Sequence, residues 1–359
     1  MSFFIMLSII LWAIAIPLAW RAERAYQQMD ELMPEGISIA LPVLSVIIPA
    51  RNEAKVLPAL LQSLKEQNYP SDIETIVVDD NSQDETAKVA DSFGVIMVRL
   101  TELPPGWLGK PHACQRGAES ATGDWLLFTD ADTVHGPEAA SSAVNFVIRN
   151  NLDGLSLFLK QISSGWYDAV ALGTAFTGLF AGWGAMTNMF NGQFILVKRS
   201  VFESSGGFAA VRQYVLEDVA FGLHLQSLGY QAPVLRGEAL ASVHMYRGFA
   251  QLWHGLTRLE SGTMTRSVSS MLLMIIFIAQ IATPLIYYAQ AVLGKILWVY
   301  PILAWLVAML MVLPWMHRIR SAALVVFSPF GAVFIILGAL WGVLQKLTGL
   351  GNRWKGRRV

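Results

Sequence analysis

The sequence predicts an α/β domain with a mostly parallel sheet, preceded and followed by transmembrane helices. Only 14% of the 359 residues are charged, whereas 54% are hydrophobic. The mean hydropathy is +0.46, which is typical of a membrane protein with a soluble part. The longest apolar segments lie near the two ends, and short apolar runs alternate with amphipathic ones between them. That alternation is typical of a sheet covered by helices on both faces.

The charge balance argues against a nucleic-acid partner, and the cysteine content excludes an internal disulfide. The formal net charge is zero, so no excess of positive charge would attract nucleic acid, and we expect no nucleic-acid partner. Cys114 is the only cysteine, which rules out a disulfide within the chain and leaves the redox compartment open.

The first apolar segment, residues 1–20, is uncharged and long enough to cross a hydrocarbon core of roughly 30 Å. A signal peptide is the alternative, but the segment lacks a basic start and a small-residue cleavage pattern. Arg21 and Arg24 follow it directly, and the positive-inside rule places such residues in the cytoplasm. We therefore expect an anchor at residues 1–21 of a multi-pass inner-membrane protein, with the next domain in the cytoplasm.

Near the other end, residues 271–345 form a membrane region of two or three apolar segments. The first two are residues 271–293 and 297–316, and the third, 324–344, contains Pro329. Four full crossings would place the basic tail, residues 346–359, outside the cell, against the positive-inside rule. We therefore expect the last segment to be re-entrant or interfacial, since a proline inside a helix frees backbone groups that lipid cannot satisfy.

The central region contains four apolar runs that we predict to be strands, with helices at residues 54–67 and 83–93 between them. The predicted strands are 44–50, 73–80, 95–100 and 125–132. Polar clusters follow the first, second and fourth runs. Ligands of parallel α/β sheets bind beyond the carboxyl ends of the strands, so these clusters are expected to form one crevice.

Asp130 and Asp132, in "WLLFTDADT", share one side of an extended chain at the end of the fourth run. Such a pair is costly unless a cation lies between the carboxylates. A hard divalent ion, Mg²⁺ or Mn²⁺, completed by phosphate oxygens would remove that cost. The pair therefore predicts a metal that stabilises a diphosphate leaving group. A strand entering an ordinary turn is the alternative.

The other polar clusters fit a nucleotide. Asp79 and Asp80 end the second run, where an acid can accept hydrogen bonds from a base or a ribose hydroxyl. Helix capping explains one or two of the polar residues that follow, Asn81, Ser82 and Asp84, but not the acid pair at the strand end. Lys110 lies near a predicted helix start, a place suited to phosphate oxygens, with a solvated lysine as the alternative.

Six motifs, in this order and spacing, resemble the inverting family 2 glycosyltransferases with a GT-A fold. They are "LSVIIPARNE", "VVDDNSQDET", "PPGWLGKPHACQRGA", "FTDADT", "NGQFILVKRSVFESSGGF" and "LEDVAFGLHLQSLGY". The resemblance covers residues 42–262, which we take as a cytoplasmic GT-A domain. The "GW-GK" element and the membrane segments resemble most the branch that glycosylates lipids such as carotenoids and hopanoids, more distantly the ceramide glucosyltransferases. A weaker similarity extends to "NRWKGRR" near the end.

The resemblance also implies roles for individual residues. The residues expected around the nucleotide sugar are Pro49, Arg51, Glu53, Asp79, Asp80, Lys110 and Asp130. Asp130 and Asp132 would hold the metal, and Asp218 would be the catalytic base with Glu217 beside it. Inversion by direct displacement needs one such base. A helix N-terminal charge pair is the alternative for Glu217 and Asp218.

The chain departs from the family at the Q-x-x-R-W motif. Here "GLTRLESG" has Gly255 and Leu259 in place of the glutamine and the tryptophan, and retains Arg258 and Gly262. This loss argues against a processive polysaccharide synthase and favours transfer of a single sugar. His244 is a candidate for approaching the metal or the acceptor, although a lone histidine is more often structural.

Residues 163–192 are apolar and rich in aromatic residues and glycine. A membrane crossing here would separate polar clusters that we expect to form one site. We therefore expect an element on the membrane surface or along an acceptor groove, with a buried core helix as the alternative.

The predicted function is transfer of one sugar from a nucleoside diphosphate sugar, with a UDP-sugar expected, to a membrane lipid. A polyprenyl-phosphate glycosyltransferase is the first alternative, and a non-catalytic membrane docking subunit is an alternative of another class. A transporter fits less well, because the apolar segments lack the interior ionisable residues that mark many ion-coupled pathways.

Overall fold

The computed structural model describes residues 3–37, 39–183, 189–257 and 268–348, and the backbone of 353–354 and 357–358. The twelve helices and twelve strands of this part of the chain are α1 (Phe3–Gln27), β1 (Leu44–Ala50), α2 (Leu57–Lys65), β2 (Ile73–Asp80), α3 (Thr86–Ser92), β3 (Ile96–Leu100), α4 (Gly109–Ser120), β4 (Trp125–Phe128), β5 (Thr133–His135), α5 (Ala139–Arg149), β6 (Gly154–Phe158), β7 (Lys160–Gln161), α6 (Trp166–Trp183), β8 (Ile195–Lys198), α7 (Arg199–Ser204), α8 (Glu217–Ser227), β9 (Val234–Arg236), β10 (Ala241–Val243), α9 (Phe249–Leu256), α10 (Val268–Val292), α11 (Val299–Ile319), α12 (Ser328–Leu347), β11 (Arg353–Trp354) and β12 (Arg357–Arg358). Short 3₁₀ helices precede α8 and α12, at Gly207–Val211 and Ala322–Phe327.

A seven-stranded sheet is the centre of the α/β domain and confirms the predicted fold class. Its strand order is β3-β2-β1-β4-β8-β6-β9. All neighbours are parallel except β8, which runs antiparallel to β4 and to β6. Strands β1 and β2 have the predicted bounds, and they are buried on both faces over most of their length, as continuous apolar runs require.

The fourth predicted strand ends earlier than expected. Strand β4 stops at Phe128, and Asp130 and Asp132 lie in the turn that leads to β5. β5 belongs to a second, three-stranded sheet of order β5-β10-β7. Thr133 pairs with Val243 of β10, so the end of β10 lies beside the two aspartates.

Helix α4 covers β1 and β2, and a glycine allows its close approach. A Cβ atom at Gly117 would lie 2.9 Å from Cγ2 of Val78 and closer still to the side chain of Ile47. Both neighbours are fully buried strand residues that cannot move aside without disturbing the core.

We therefore expect Gly117→Val to destabilise the protein by about 1–3 kcal/mol through overpacking. Thermal unfolding of the full chain in detergent measures this effect. Gly36→Ala is the matched control, because nothing lies within 4 Å of its added Cβ atom. Equal unfolding temperatures for the two variants would contradict the close packing of α4 on the sheet.

Within the described ranges, four helical segments are long and apolar enough to cross a membrane, and they fit a membrane protein. They are Ile5–Gln27, Ile275–Val292, Val299–Ile319 and Ala322–Gln345. Pro329 lies in the first turn of α12 and does not break the helix, so the expected interruption of the last segment is not observed. A proline is tolerated there because its missing N–H would have no helical partner in any case. The re-entrant position of this segment, which depended on that interruption, stays a prediction.

Helix α6, within residues 163–192, packs against α1, α10, α11 and α12. Its residues from Asp168 to Leu172 are buried, and its alanine, valine and leucine side chains there join the core of the apolar helices. This position agrees with the buried-helix alternative. Residues 184–188 of the same segment lie outside the described part of the chain.

Aromatic and ionic contacts join the α/β domain to the apolar helices. The Tyr26 ring of α1 lies 5.5 Å from Phe158 of β6, 5.2 Å from Phe180 of α6 and 5.1 Å from Trp315 of α11, measured between ring centroids. Arg318 Nη1 of α11 lies 3.6 Å from Oε2 of Glu238, in the loop between β9 and β10. These contacts hold one edge of the central sheet against the helices.

Candidate active site

The loops after β1 and β2 are held together at the carboxyl edge of the sheet. Arg51 is buried, and its Nη1 atom donates to the backbone carbonyl oxygens of Asp80 and Asn81. The backbone N–H of Asn52 donates to Ser82 Oγ over 3.0 Å. Asn52 and Asn81 have φ angles of 54° and 55°, a left-handed conformation that asparagine tolerates better than most residues. Arg51 therefore holds together the two loops that are predicted to bind the nucleotide.

Acidic residues at the end of β2 and before α3 accept hydrogen bonds from nearby backbone N–H groups. Asp79 Oδ1 accepts a hydrogen bond from the Ser82 N–H over 3.1 Å, and Asp84 Oδ1 accepts one from the Thr86 N–H over 3.0 Å. The second contact confirms that Asp84 caps α3, as expected. Asp80 is 2% exposed.

The start of α4 places the ammonium group of Lys110 in the site. Lys110 Nζ lies 2.7 Å from Asp130 Oδ1 and 2.9 Å from Glu217 Oε1. One ammonium group therefore connects the turn after β4 with the start of α8. Burial acts to lower the pKa of Lys110, but the carboxylates of Asp130, Glu217 and Asp218 outweigh it and raise the pKa well above its usual value. Lys110 is consequently a permanent cation in this cleft.

The Asp130 and Asp132 pair has the features expected of a cation site. Asp132 Oδ1 is buried and has no hydrogen-bond partner among the described residues. Burial and the charge of Asp130 raise the pKa of Asp132 to about 7. An unpartnered buried carboxylate next to another acid fits a divalent cation.

Protein side chains alone do not complete a metal site in the described chain. No group of three or more histidine, cysteine, aspartate or glutamate side chains is arranged to hold an ion there. Mg²⁺ and similar ions are commonly held by one or two carboxylates plus substrate phosphates. The pair therefore fits an ion that binds together with a diphosphate.

Asp218, in the first turn of α8, is oriented by two backbone groups. Its Oδ2 accepts a hydrogen bond from the Gly192 N–H over 2.7 Å, and its Oδ1 accepts one from the Val219 N–H over 2.8 Å. Burial and the neighbouring Glu217 nevertheless raise the pKa of Asp218 to about 6. A Cβ atom at Gly192 would lie 2.9 Å from Lys110 Nζ and 3.1 Å from Asp218 Oδ2, so glycine leaves these groups room to approach each other.

One cleft contains five of the ten predicted site residues, and Asp132 of the predicted metal pair is not among its lining residues. Its lining includes Pro49, Lys110, Asp130, Glu217 and Asp218. The other predicted nucleotide-binding residues do not line this cleft; they are Arg51, Glu53, Asp79 and Asp80. They lie on the adjoining loops, because β1 and β2 end side by side with Ala50 opposite Asp79.

His244 lies beside the turn that contains Asp130 and Asp132. Its backbone N–H donates to the carbonyl oxygen of Asp132 over 3.1 Å, and its Nε2 atom lies 2.6 Å from Ser164 Oγ. The side chain thus contacts the segment that leads into α6. Three residues at the position of the Q-x-x-R-W motif lie outside the described residues: Arg258, Leu259 and Gly262.

Sequence analysis did not identify several residues that shape the site. They include Gly192 and Gln193 before β8, and Thr129, Thr133 and His135 around the aspartate turn. Their roles depend on contacts between segments far apart in the chain. The position of Thr129 and His135 on either side of the two aspartates was the only local signal.

A comparison with protein families identifies residues 45–220 as matching the model "Glycosyl transferase family 2". A protein of Staphylococcus aureus strain USA300, named 4,4'-diaponeurosporenoate glycosyltransferase, is 28% identical over 250 residues, which cover 65% of this chain and 64% of that protein. The protein of the same name from strain bovine RF122 is 29% identical over 301 residues, covering 77% of this chain and 78% of that protein. The chain thus spans about two thirds of the first relative and more of the second.

Among solved structures, a mannosyltransferase from Pyrobaculum calidifontis in complex with GDP-Man and Mn²⁺ has the same fold. It is 19% identical, the match covers 92% of this chain and 99% of that one, and the TM-score is 0.52. The sheet order, the cleft and these matches agree with one another. The chain therefore carries a glycosyl transferase family 2 domain of GT-A-like fold, the domain of a glycosyltransferase.

Proposed function

We propose that this chain transfers one sugar from a nucleoside diphosphate sugar, a UDP-sugar, to a hydroxyl or carboxyl group of a membrane lipid with inversion of the anomeric centre. The acceptor class that we propose is a carotenoid, hopanoid or glycolipid. The observation that carries the proposal is the single cleft in which Lys110 joins Asp130 to Glu217 while Asp218 is held beside it by Gly192. The S. aureus relatives, named for a carotenoid acid, support the acceptor class.

Asp218 acts as the base in this reaction. The acceptor oxygen attacks the anomeric carbon and passes its proton to Asp218, while the bond from that carbon to the diphosphate breaks and its electron pair leaves with the diphosphate. The backbone N–H groups of Gly192 and Val219 hold the carboxylate in place. A raised pKa suits this role, since a base works best when its pKa lies near the operating pH.

Asp130 and Asp132 would hold a divalent cation, Mg²⁺ or Mn²⁺. Such an ion neutralises the charge that develops on the leaving diphosphate. Lys110, at the start of α4 and beside Asp130, would pair with oxygens of the same diphosphate. Mn²⁺ and GDP-Man in the P. calidifontis neighbour agree with this assignment.

The lipid would approach along the side of the cleft that faces the apolar helices. Ser164, just before α6, contacts His244, and His244 contacts the backbone of Asp132. Two exposed aromatic side chains, Trp166 and Phe249, begin α6 and α9 at this end. The amphipathic ring of tryptophan favours the boundary between lipid and water, so Trp166 supports a cleft next to the membrane.

The direct test is transfer by the purified full chain in detergent, supplied with UDP-sugars, Mn²⁺ and lipid extract. A second measurement compares the lipids of cells with and without the protein and looks for a glycosylated species that disappears. Transfer only to polyprenyl phosphate would replace the proposed acceptor class. Absence of nucleotide binding with Mn²⁺ would contradict the catalytic proposal as a whole.

The pH dependence follows from the raised pKa of Asp218, about 6. The base acts only when deprotonated, so kcat/KM should fall about tenfold per pH unit below about pH 6 and level off above it. Steady-state rates between about pH 5 and about pH 8 measure the profile. Asp91→Asn, at an exposed ion pair, should leave the profile unchanged. A plateau that continued to about pH 5 would contradict the assigned base.

A further inference from the structure

Three buried side chains lie behind the metal-binding turn, and we call them the threonine–histidine network. They are Thr129, Thr133 and His135, which are 0%, 1% and 3% exposed. The two threonine Oγ1 atoms lie 2.9 Å apart. His135 Nε2 lies 3.0 Å from Thr129 Oγ1 and 3.3 Å from Thr133 Oγ1.

The network contacts the two loops that carry the proposed chemistry. Thr133 Oγ1 donates to the carbonyl oxygen of Asp130 over 2.8 Å. Thr129 Oγ1 donates to the carbonyl oxygen of Gln193, also over 2.8 Å. Gln193 follows Gly192, whose N–H holds Asp218. The same network therefore touches the metal-binding turn and the loop that orients the base.

Counting protons assigns the tautomer of His135. Carbonyl oxygens only accept hydrogen bonds, and each threonine hydroxyl supplies one proton. With an unprotonated Nε2 atom, the two hydroxyl protons would have to serve three acceptors, namely two carbonyl oxygens and Nε2. With a proton on Nε2, both carbonyl bonds form and His135 donates to the threonine oxygens. The Nε2–H tautomer therefore leaves only the contact between the two threonine oxygens without a proton, whereas the other tautomer leaves both that contact and the Nε2 atom without one.

The other ring nitrogen agrees with this tautomer. His135 Nδ1 is buried and has no hydrogen-bond partner among the described residues. A buried N–H without an acceptor costs more than an unused lone pair, so the proton avoids this position. Burial lowers the pKa of His135 to about 4, so the ring carries a single proton near neutral pH.

We propose that His135, as its Nε2–H tautomer, is a positioning residue. It holds Thr129 and Thr133 and thereby sets the distance between the turn that contains Asp130 and the loop of Gly192 and Gln193 that orients Asp218. The tautomer and the contacts depend only on the network. The effect on the metal and on transfer rests on the proposed function.

The tautomer is tested by ¹⁵N NMR of the full chain in detergent, labelled at its six histidines. The His135→Gln variant assigns the His135 signals. We expect a protonated Nε2 and an unprotonated Nδ1 that stay constant between about pH 6 and about pH 8. A proton on Nδ1, or titration within this range, would overturn the proposal.

The positioning role is tested by binding of Mn²⁺ with UDP, measured by calorimetry without any acceptor. Loss of a residue that supports metal ligands lowers metal affinity about 10–100-fold, and we expect a loss in this range for Thr129→Val and for His135→Phe. His135→Gln places an amide donor near the Nε2 position and should recover most of the affinity. The double variant Thr129→Val/His135→Phe should lose little more than either single variant, because the two residues act through one contact.

Thr101→Val, at an exposed threonine, is the matched control and should bind as the wild type does. Wild-type binding by Thr129→Val and His135→Phe would overturn the positioning role. If these variants do not fold, the NMR measurement on the wild type still decides the tautomer. A chain with the expected tautomer and the expected binding losses, but without sugar transfer, would contradict the proposed function and leave this inference intact.

Discussion

Replacing Asp218 with asparagine is expected to lower kcat by about 10²–10⁴-fold while the affinity for Mn²⁺ with UDP changes little. Asparagine keeps the shape of the side chain, and its oxygen can still accept the Gly192 N–H, which lies 2.7 Å from Asp218 Oδ2. It cannot take the proton of the acceptor hydroxyl, and removal of a general base costs a factor of this size. Single-turnover transfer and calorimetry measure the two quantities.

The control for this variant is Asp91→Asn, which removes an exposed acid paired with Arg99 over 3.0 Å. Its turnover should equal that of the wild type. Asp218→Glu provides a second comparison, since it keeps the carboxylate and moves it by one methylene. Turnover within about tenfold of the wild type for Asp218→Asn would remove Asp218 from the role of base.

Replacing Asp132 with asparagine is expected to remove the stabilisation that Mn²⁺ with UDP confers on the folded chain. A ligand present at about 100 times its dissociation constant stabilises by about 2.7 kcal/mol, and a loss of affinity of about 100-fold reduces this to a few tenths. The metal-free variant should be at least as stable as the wild type. The physical reason is that Asp132 Oδ1 is buried without a hydrogen-bond partner in the described part of the chain, and the neutral amide relieves the repulsion from Asp130.

Unfolding temperatures with and without Mn²⁺ and UDP measure both effects. Asp72→Asn, an exposed aspartate next to β2, is the matched control and should retain the full stabilisation. If Asp132→Asn were stabilised by Mn²⁺ with UDP as strongly as the wild type, the metal would be held elsewhere.

Much of the architecture could be predicted from the sequence because its signals are local. A strand buried on both faces needs an unbroken apolar run, so β1 and β2 were predicted with the observed bounds. A bilayer requires about 20 apolar residues per helix, so the terminal helices were found as well. The predicted interruption of the last apolar segment at Pro329 is not observed. A proline in the first turn of a helix does not break it, and the sequence pattern did not show that α12 begins at Ser328.

The candidate site was predicted only in part. Asp130 and Lys110 could be identified because each follows a strand or begins a helix at the ligand-binding edge of the sheet. Asp218 was indicated only by the resemblance to the family 2 glycosyltransferases. The ion pairs from Lys110 to Asp130 and Glu217 could not be predicted, since they join residues that are 20 and 107 positions apart. The burial of α6 among the apolar helices also depends on packing with distant segments, which periodicity does not report.

The sequence by itself determined the first four strands of the central sheet, the apolar helices and the order of the acidic motifs along the chain, because hydrophobic period, length and turn residues act over a few positions. Only the tertiary structure decided which groups share protons and charge. Gly192 reaches Asp218 across 26 positions, and Thr129 reaches Gln193 across 64. The physical reason is that burial removes water as a partner, so each polar group must find its donor or acceptor in whichever segment the fold brings next to it.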